Sequence, residues 1–525
     1  MIVNWRPAHP ALRTLLATFL KQTTPVYVVG GAVRDYLLTG NTQPTDLDLV
    51  VTQAALPTAQ RVANQLGWAY YPLDEARDTA RLVFPNTYGT PLVCDVTSLR
   101  GGSIEADLLG RDFTVNALAF VLERGIQANK DTVQLLDVCH GQKDLANRVL
   151  RRVSATSFAD DSVRLLRAVR FIYQLGFTLE AATLEQIKRA GESIRLASPE
   201  RVRDELWKTL VTPAPAEAIE LLRQLGLLPY VLPEVDALVG IEQSAPHHED
   251  VYYHTLRVVQ NAATLRAWLR DAPLTEEGAA ASWCTVLQPW RKQLQQHFAR
   301  ATAGLREQSD WLIWFALLHD IGKPSTRSVE AQPDGTQRYR FLEHETVGAR
   351  MAEERLTHLR LARHEINQSQ TVIAHHMRPH LLAASFADQP LSRRAAYRFF
   401  RDTSGNQLDH PVGVEIILLA LADFAAIQQQ SPSFSVAPNW LAYAAHIQEL
   451  LAFLFADERP WQQAHQQPLV DGHTLMARLK LAPGPQVGQL LEAVREAQAA
   501  GEIHTVDEAI TLARAVGGLL AAPTG

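Results

Sequence analysis

A short β-branched and aromatic run, Val26–Val29, ends in paired glycines, Gly30 and Gly31, and passes at once into a helix-like segment, AVRDYLL. No other feature constrains the fold as tightly. A strand that turns directly into a helix needs a residue free of the usual backbone restrictions, which glycine supplies. The opening turn of that helix then offers N–H groups to an anion. TDLDLVV (45–51) reads as a second strand and LVCDVTSL (92–99) as a third. Residues 55–66 read as the helix between them, and residues 11–21 as a leading helix with apolar positions at helical spacing. This alternation predicts an α/β head of about 150 residues.

Asp46 and Asp48 lie two apart on the second strand and therefore share a face. Adjacent carboxylates repel each other. A divalent cation removes the conflict, and Mg²⁺ prefers hard oxygen ligands shared between carboxylates and substrate phosphates. Asp95 stands between Cys94 and Val96 in an apolar strand. A third carboxylate there suits two-metal phosphoryl chemistry, with ions about 3.5–4 Å apart. Taken singly, the glycine pair is an ordinary turn and the D-x-D a solvated strand end; together they point to a phosphate-handling site.

The chain has 525 residues, enough for three or four domains. With 47% hydrophobic and 20% charged residues it has the composition of a soluble globular protein. A net charge of −6 argues against a uniformly basic nucleic-acid coat and leaves room for a local basic groove. Cys94, Cys139 and Cys284 lie far apart without a C-x-x-C pair, which excludes a disulfide framework and fits a reducing cytosol. MIVNWRPAHP lacks the basic-then-apolar pattern of a targeting signal. The apolar run Trp311–Leu318 is too short to cross a bilayer, and residues 412–426 are interrupted by Glu415 and Asp423. A cytoplasmic protein with no membrane partner is expected.

From about residue 150 the pattern turns helical. Val163, Leu166, Val169 and Ile172 are spaced by three, and Ser198 with Pro199 looks like the start of another helix. Residues 236–430 are helical and rich in histidine, 266–308 being a weakly patterned insertion; a loop at 432–439 precedes a final helical region.

VVGGAVRDYLL followed by TDLDLVV resembles the signature of the class II CCA-adding enzyme and bacterial poly(A) polymerase family, within the polymerase-β-like nucleotidyltransferases. Four further blocks follow in that family's order. Arg111, Asp112, Phe113, Thr114, Val115, Asn116 and Ala117 resemble its RRDFTxNA block, implied to bind the incoming ribose and phosphates. Leu136, Asp137, Gly141, Asp144 and Leu145 resemble its hinge block. Asp160, Asp161, Arg164 and Arg167 resemble its EDxxR block, whose acid and arginine are implied to pair with the base edge of CTP or ATP in place of a template. Ser198, Pro199, Glu200 and Arg201 resemble its last block. An Asp offers acceptors and an Arg donors, as a cytosine or adenine edge requires. Three apart on one helix, Asp161 and Arg164 would face the same side, which is equally the geometry of a surface ion pair. The resemblance thus implies Asp46, Asp48 and Asp95 as catalytic Mg²⁺ ligands. It implies Gly30, Gly31, Arg34, Arg111, Asp112, Asn116, Asp161, Arg164 and Arg167 as nucleotide-binding residues, with tRNA, CTP and ATP as partners.

The chain departs from the pattern in its block residues and in the length of one connection. Asp160 replaces the usual Glu and Gly110 the first Arg of RRD. The segment from Asp95 to Arg111 is also shorter than in many full CCA-adding members, a feature associated in that family with adding only the two cytidines. CC addition is therefore expected, with A, full CCA or poly(A) products as alternatives. Arg148, Arg151, Arg152, Arg167 and Arg170 could line a groove for acceptor-stem phosphates or form a solvated helix face.

In the second half, His319 and Asp320 end the run WLIWFALL; His254 lies upstream, and His344, His375, His376 and Asp423 lie downstream. Imidazoles and carboxylates from separate helices can converge on divalent ions. The order resembles the HD superfamily of metal-dependent phosphohydrolases. This implies His254, His319, Asp320 and Asp423 as ligands of a divalent transition metal, with His344 and His375 or His376 as a second-metal set. A 2′,3′-cyclic phosphate or phosphomonoester at an RNA 3′ end is a fitting substrate; a vestigial bundle that only supports RNA is the alternative. The tail from Leu469 to Ile503 resembles the family's C-terminal helical region, implied to hold the tRNA elbow; a domain that only packs is the alternative.

The expectation is a multidomain α+β protein: a small mixed-sheet nucleotidyltransferase head (1–148), a helical neck (149–235), a helical HD domain (236–430) and a helical RNA-binding tail (431–525). The expected activity is template-independent tRNA 3′-end nucleotidyl transfer. A poly(A) polymerase and an enzyme working mainly as an HD phosphohydrolase are the rivals.

Overall fold

The computed structural model describes residues 1–84, 91–123, 132–272, 283, 285–299, 306–386, 389–404, 411–428, 438–456 and 460–521. Cys284, most of the loop at 432–439 and part of the 266–308 segment lie outside them. The chain forms two compact units: residues 1–205 with 224–230, and residues 206–223 with 231–525.

The first unit is built on an eight-stranded sheet. Its strands are β1 (Ile2–Asn4), β2 (Val26–Val29), β3 (Asp46–Val51), β4 (Ala69–Asp74), β5 (Thr79–Phe84), β6 (Leu92–Ser98), β7 (Leu118–Leu122) and β8 (Thr132–Asp137). Their order is β1-β8-β7-β2-β3-β6-β5-β4. β3 and β6 run parallel and the remaining pairs antiparallel, so the sheet is mixed. The three expected strands are β2, β3 and β6, and the helix expected over 55–66 is Ala55–Leu66.

β2 and β7 are buried along their whole length, which fixes them at the centre of the sheet. On β3, Leu47, Leu49 and Val51 are fully buried, while Asp46 is exposed and Asp48 half-buried. Val29, Val50, Ile104, Leu108, Ala117 and Ala119 form a core on the carboxylate-bearing side of β3. After the sheet come the helices Ser157–Asp160, Arg164–Leu175, Ala181–Ala190 and Pro199–Leu210.

The second unit is almost entirely helical. Trp311–Leu318 is buried on every face and packs against Val251–Leu269 and Gly413–Gln428. A hairpin of Arg327–Ala331 with Gln337–Phe341, largely exposed, was not apparent from periodicity. Leu475, Val487, Leu490, Val494, Ala497, Ala509 and Ala513 form the core of the tail helices. Among the described residues, no helix is long and apolar enough to cross a membrane.

Candidate functional site

The parallel pairing of β3 and β6 sets Asp48 directly opposite Asp95, with Asp46 two residues earlier on the same face of β3. Antiparallel pairing of β2 with β3 sets Val29 opposite Asp48, so the glycine turn begins beside that carboxylate. Gly30 has a φ of +71°, and a Cβ there would lie 2.9 Å from Asp48 Oδ2. Both the turn and the close approach require glycine. Burial first, and then the neighbouring Asp46, push the Asp48 carboxyl up to about 6; Asp95 adds to this and Arg111 opposes it. Three carboxylates thus gather where the ionised form of one is disfavoured, and a divalent cation relieves that conflict.

A cleft of about 280 Å³ opens beside them. It is lined by Asp48, Asp95, Asp107, Asp112 and Asp161 and by Arg100, Arg111, Arg164, Arg167 and Arg201. Asp112 is buried and accepts hydrogen bonds from the Phe113 amide (2.8 Å), Asn116 Nδ2 (3.0 Å) and Arg167 Nε (2.8 Å). Burial alone would raise its carboxyl, but Arg167 and the Asn116 and Phe113 hydrogen bonds hold it at about 2. Arg34 is buried too, donating to Asn116 Oδ1 (2.8 Å) and Asp35 Oδ1 (2.7 Å). Arg34 and Asn116 are not among the cleft-lining residues; they brace the block that carries Arg111 and Asp112.

Asp161 and Arg164 do not share a helix face. Asp161 is extended (φ −157°, ψ 104°) after the helix Ser157–Asp160, and Arg164 opens the helix Arg164–Leu175. The break arises because Asp161 turns its carboxylate back to accept from the Val163 amide (3.2 Å). Both residues nevertheless line the cleft. Arg164 donates to the carbonyls of Gly110 (2.7 Å), Ser157 (3.1 Å) and Arg111 (3.2 Å), and Arg201 Nη2 donates to Asp161 Oδ2 (2.6 Å).

Of the five arginines that could line a groove or form a solvated face, Arg170 does neither. Arg170 is buried and paired with Glu205 at 2.7 Å, and Arg151 pairs with Asp144 and Glu180, each at 3.1 Å. Arg170 is part of the protein interior.

In the second unit, five elements bring imidazoles and carboxylates together. His254 Nε2 lies 2.9 Å from Asp423 Oδ1, His319 Nε2 3.1 Å from Asp320 Oδ2 and His344 Nε2 3.4 Å from Asp320 Oδ1. His376 Nε2 lies 3.3 Å from His344 Nε2. The Nδ1 atoms of His319, His344 and His376 lie 2.8, 2.8 and 2.7 Å from the carbonyls of Ala316, Phe341 and Ile373. A carbonyl only accepts, so each Nδ1 carries a proton, which leaves Nε2 as the ring atom that faces the cluster and is available to ligate a metal. His319 Nε2, Asp320 Oδ2 and Asp423 Oδ1 are buried without a hydrogen bond of ordinary geometry. Burial, followed by the nearby His319 and His344, pushes His376 down to about 3 and keeps it neutral. His254, His319 and Asp320 form one group that could hold a metal ion, and Asp320, His344 and His376 a second, with Asp320 common to both. Of the two adjacent histidines it is His376 that joins the cluster; His375 neighbours Arg378 and Asp402.

Known protein families match the chain in three stretches. The Poly A polymerase head domain matches residues 26–151, the probable RNA and SrmB-binding site of polymerase A matches 176–239, and the HD domain matches 251–423. An A-adding tRNA nucleotidyltransferase of Deinococcus radiodurans is 33% identical over 487 residues, covering 92% of this chain and 93% of its own. The chain belongs to the tRNA nucleotidyltransferase family. A CC-adding family member from Thermus thermophilus is 31% identical over 489 residues, 92% of each chain. The fold is shared with a Thermotoga maritima CCA-adding enzyme complexed with tRNA (TM-score 0.54, 20% identity, 98% and 99% covered). A CCA-adding enzyme in an apo form aligns with a TM-score of 0.56 at 20% identity, over 98% and 94% of the chains.

Sequence reasoning passed over several residues of this nucleotidyltransferase family member. Arg81 grips Asp95 through two hydrogen bonds of 2.8 Å, from a strand whose neighbour β4 carries a proline and weak alternation. Lys323 Nζ lies 2.7 Å from Asp320 Oδ2 and 2.8 Å from Gln243 Oε1; its place three residues after Asp320 was the available signal. His380 Nε2 lies 3.2 Å from Asp423 Oδ2, and the His247 ring packs on His254.

Proposed function

We propose that the chain is a cytoplasmic, template-independent tRNA 3′-end nucleotidyltransferase that uses CTP, and that it adds the two cytidines. The observation that carries this reading is the side-by-side register of Asp48 and Asp95 at the Gly30 turn, in a cleft whose other lining side chains include five arginines. Mg²⁺ fits the hard oxygens of Asp46, Asp48 and Asp95; when bound, it activates the primer 3′-hydroxyl and neutralises the departing pyrophosphate. The chain's own residues do the rest. Gly30 lets the triphosphate approach the backbone. Arg111 and Arg167 supply positive charge at the cleft. Asp161 offers acceptors to the exocyclic amine of the base, and Arg164, held on three carbonyls, offers donors. The primer hydroxyl attacks the α-phosphate, one P–O bond forms, and the bond to pyrophosphate breaks.

The choice of CC addition rests on the segment between Asp95 and Arg111. β6 continues to Ser98, Leu99 N bonds Val51 O at 2.9 Å, and the helix Ile104–Leu109 starts after a tight turn capped by Ser103. That compact connection has no long lever with which to change the base pocket. Relatives named A-adding and CC-adding match this chain almost equally, so identity alone does not choose. The test is a gel readout of tRNA ending at the discriminator base, with each nucleotide offered alone. Two additions with CTP and none with ATP are expected; efficient A addition to tRNA ending in CC overturns the product assignment.

A second activity is favoured by the buried histidine–aspartate cluster. The proposed reaction is hydrolysis of a phosphomonoester or 2′,3′-cyclic phosphate at an RNA 3′ end, with a divalent transition metal held by His254, His319, Asp320, His344, His376 and Asp423. It would supply the free hydroxyl that the head uses. Release of phosphate from such an end by the wild type but not by His319→Ala tests it. The proposed domain limits stay at 1–148, 149–235, 236–430 and 431–525, the tail binding RNA.

A further inference from the structure

Arg81 and Asp95 are direct register partners in the antiparallel pair of β5 and β6. Arg81 Nε donates to Asp95 Oδ1 and Arg81 Nη2 to Asp95 Oδ2, both at 2.8 Å. This is the fork-to-fork geometry in which a guanidinium engages both oxygens of a carboxylate and fixes its plane. The pair is neither sealed nor fully solvated: the side chains are 40% and 21% exposed, and Asp95 lines the cleft. A carboxylate expected to share cations with Asp46 and Asp48 is thus clasped from a neighbouring strand.

We propose that Arg81 is a positioning residue that holds the plane of Asp95 and opposes cation binding there, an opposition that the charge of a bound nucleotide offsets. The inference rests on the nucleotidyl-transfer reading of the head. An ionised carboxylate has about four lone-pair sites, and the fork uses two. A cation can therefore join Asp95 without breaking the fork, but it must then sit beside a guanidinium. Arg81 weakens the attraction of the acidic cluster for a dication, and the negative charge of a bound triphosphate offsets that repulsion. Full cation occupancy is thereby coupled to nucleotide binding. A merely structural cross-strand ion pair would affect sheet stability and leave cation affinity unmoved.

The test is titration of the full-length protein with Mn²⁺, read by the electron paramagnetic resonance signal of the free ion, with and without CTP. The share of binding lost in Asp48→Asn is assigned to the head, separating it from the histidine cluster. Without nucleotide, Arg81→Gln should bind Mn²⁺ at the head roughly fivefold more tightly or better than wild type, as expected for removing one positive charge close to a dication in a screened site. The difference should shrink when CTP is present, while Arg81→Lys, which keeps the charge, should stay near wild type. Arg81→Thr, whose side chain suits a strand, gives the same readout should the glutamine variant fail to fold. Unchanged or weaker Mn²⁺ binding in a folded Arg81→Gln or Arg81→Thr protein overturns the proposal. If wild type transfers nucleotide to tRNA and Mn²⁺ affinity does not respond to Arg81, the proposal alone has failed. If wild type transfers none, the reading of the head has failed.

Discussion

Asp48 and Asp95 are register partners in the pair of β3 and β6, the parallel ladder of an otherwise antiparallel sheet among the described residues. Two residues paired in register project to the same side of a sheet. The carboxylates of two separate strands therefore meet beside the Gly30 turn, and the acidic site follows from strand pairing rather than from a mobile loop.

Gly30→Ala tests how tightly that turn is built. The new Cβ would lie 2.9 Å from Asp48 Oδ2 and 3.3 Å from Arg111 Nη1, on a backbone at φ +71°. A backbone at φ +71° and ψ −131° is sparsely populated by residues with a Cβ and costs about 1–3 kcal/mol, and displacement of the carboxylate should lower kcat further. Thermal unfolding and single-nucleotide incorporation, measured together, should show a modest shift in the first and a large loss in the second.

Asp161→Asn should loosen base selection without unfolding the neck. An ionised Asp only accepts, matching the amine of cytosine or adenine, whereas Asn also donates and can pair with the carbonyl of uracil. The ratio of kcat/KM for CTP over UTP should fall by about tenfold or more, equivalent to roughly 1.4 kcal/mol. An unchanged ratio would remove Asp161 from base recognition.

Asp112 and Arg167 predict a specific response to acid. Asp112 is held at about 2, below its ordinary 3.8, so the pair contributes stability above about pH 4 that is lost as pH falls toward 2. The increment is roughly 2 kcal/mol, since each tenfold change in proton affinity is worth about 1.4 kcal/mol. Arg167→Gln should lower the urea midpoint at pH 7, and the gap to wild type should narrow by pH 3. A gap that does not depend on pH would contradict the ion-pair account.

The two adjacent histidines should separate cleanly. His376 is buried against His344 and Asp320, whereas His375 faces Arg378 and Asp402. Metal analysis of purified protein should show His376→Ala losing bound transition metal and His375→Ala retaining it.

The site was legible in sequence wherever function and local geometry coincide. The glycine pair, D-x-D and Asp95 lie on strands whose side-chain alternation can be read directly, and the histidines follow apolar helices. What escaped depends on partners distant along the chain. Arg81 gains its meaning only from the β5–β6 register, 14 residues from Asp95, and Arg201 from a contact 40 residues back to Asp161. β7, LAFVL, is buried throughout, and such a run does not distinguish strand from helix. The helical spacing of Asp161 and Arg164 misled because a side chain–backbone hydrogen bond from Val163 N to Asp161 replaces a helical turn. Arg170 could be read as a groove residue or as part of a solvated face because a helix period does not reveal that Glu205 covers it.

The most direct measurement is incorporation of labelled CTP onto tRNA ending at the discriminator base, by wild type and by Asp48→Ala, with circular dichroism to confirm folding. Wild type should add cytidines, and the variant should be slower by at least ~10²–10³-fold, the order seen when a charge-stabilising group is removed from an active site. A folded Asp48→Ala protein that transfers cytidine at a rate close to wild type would contradict the account.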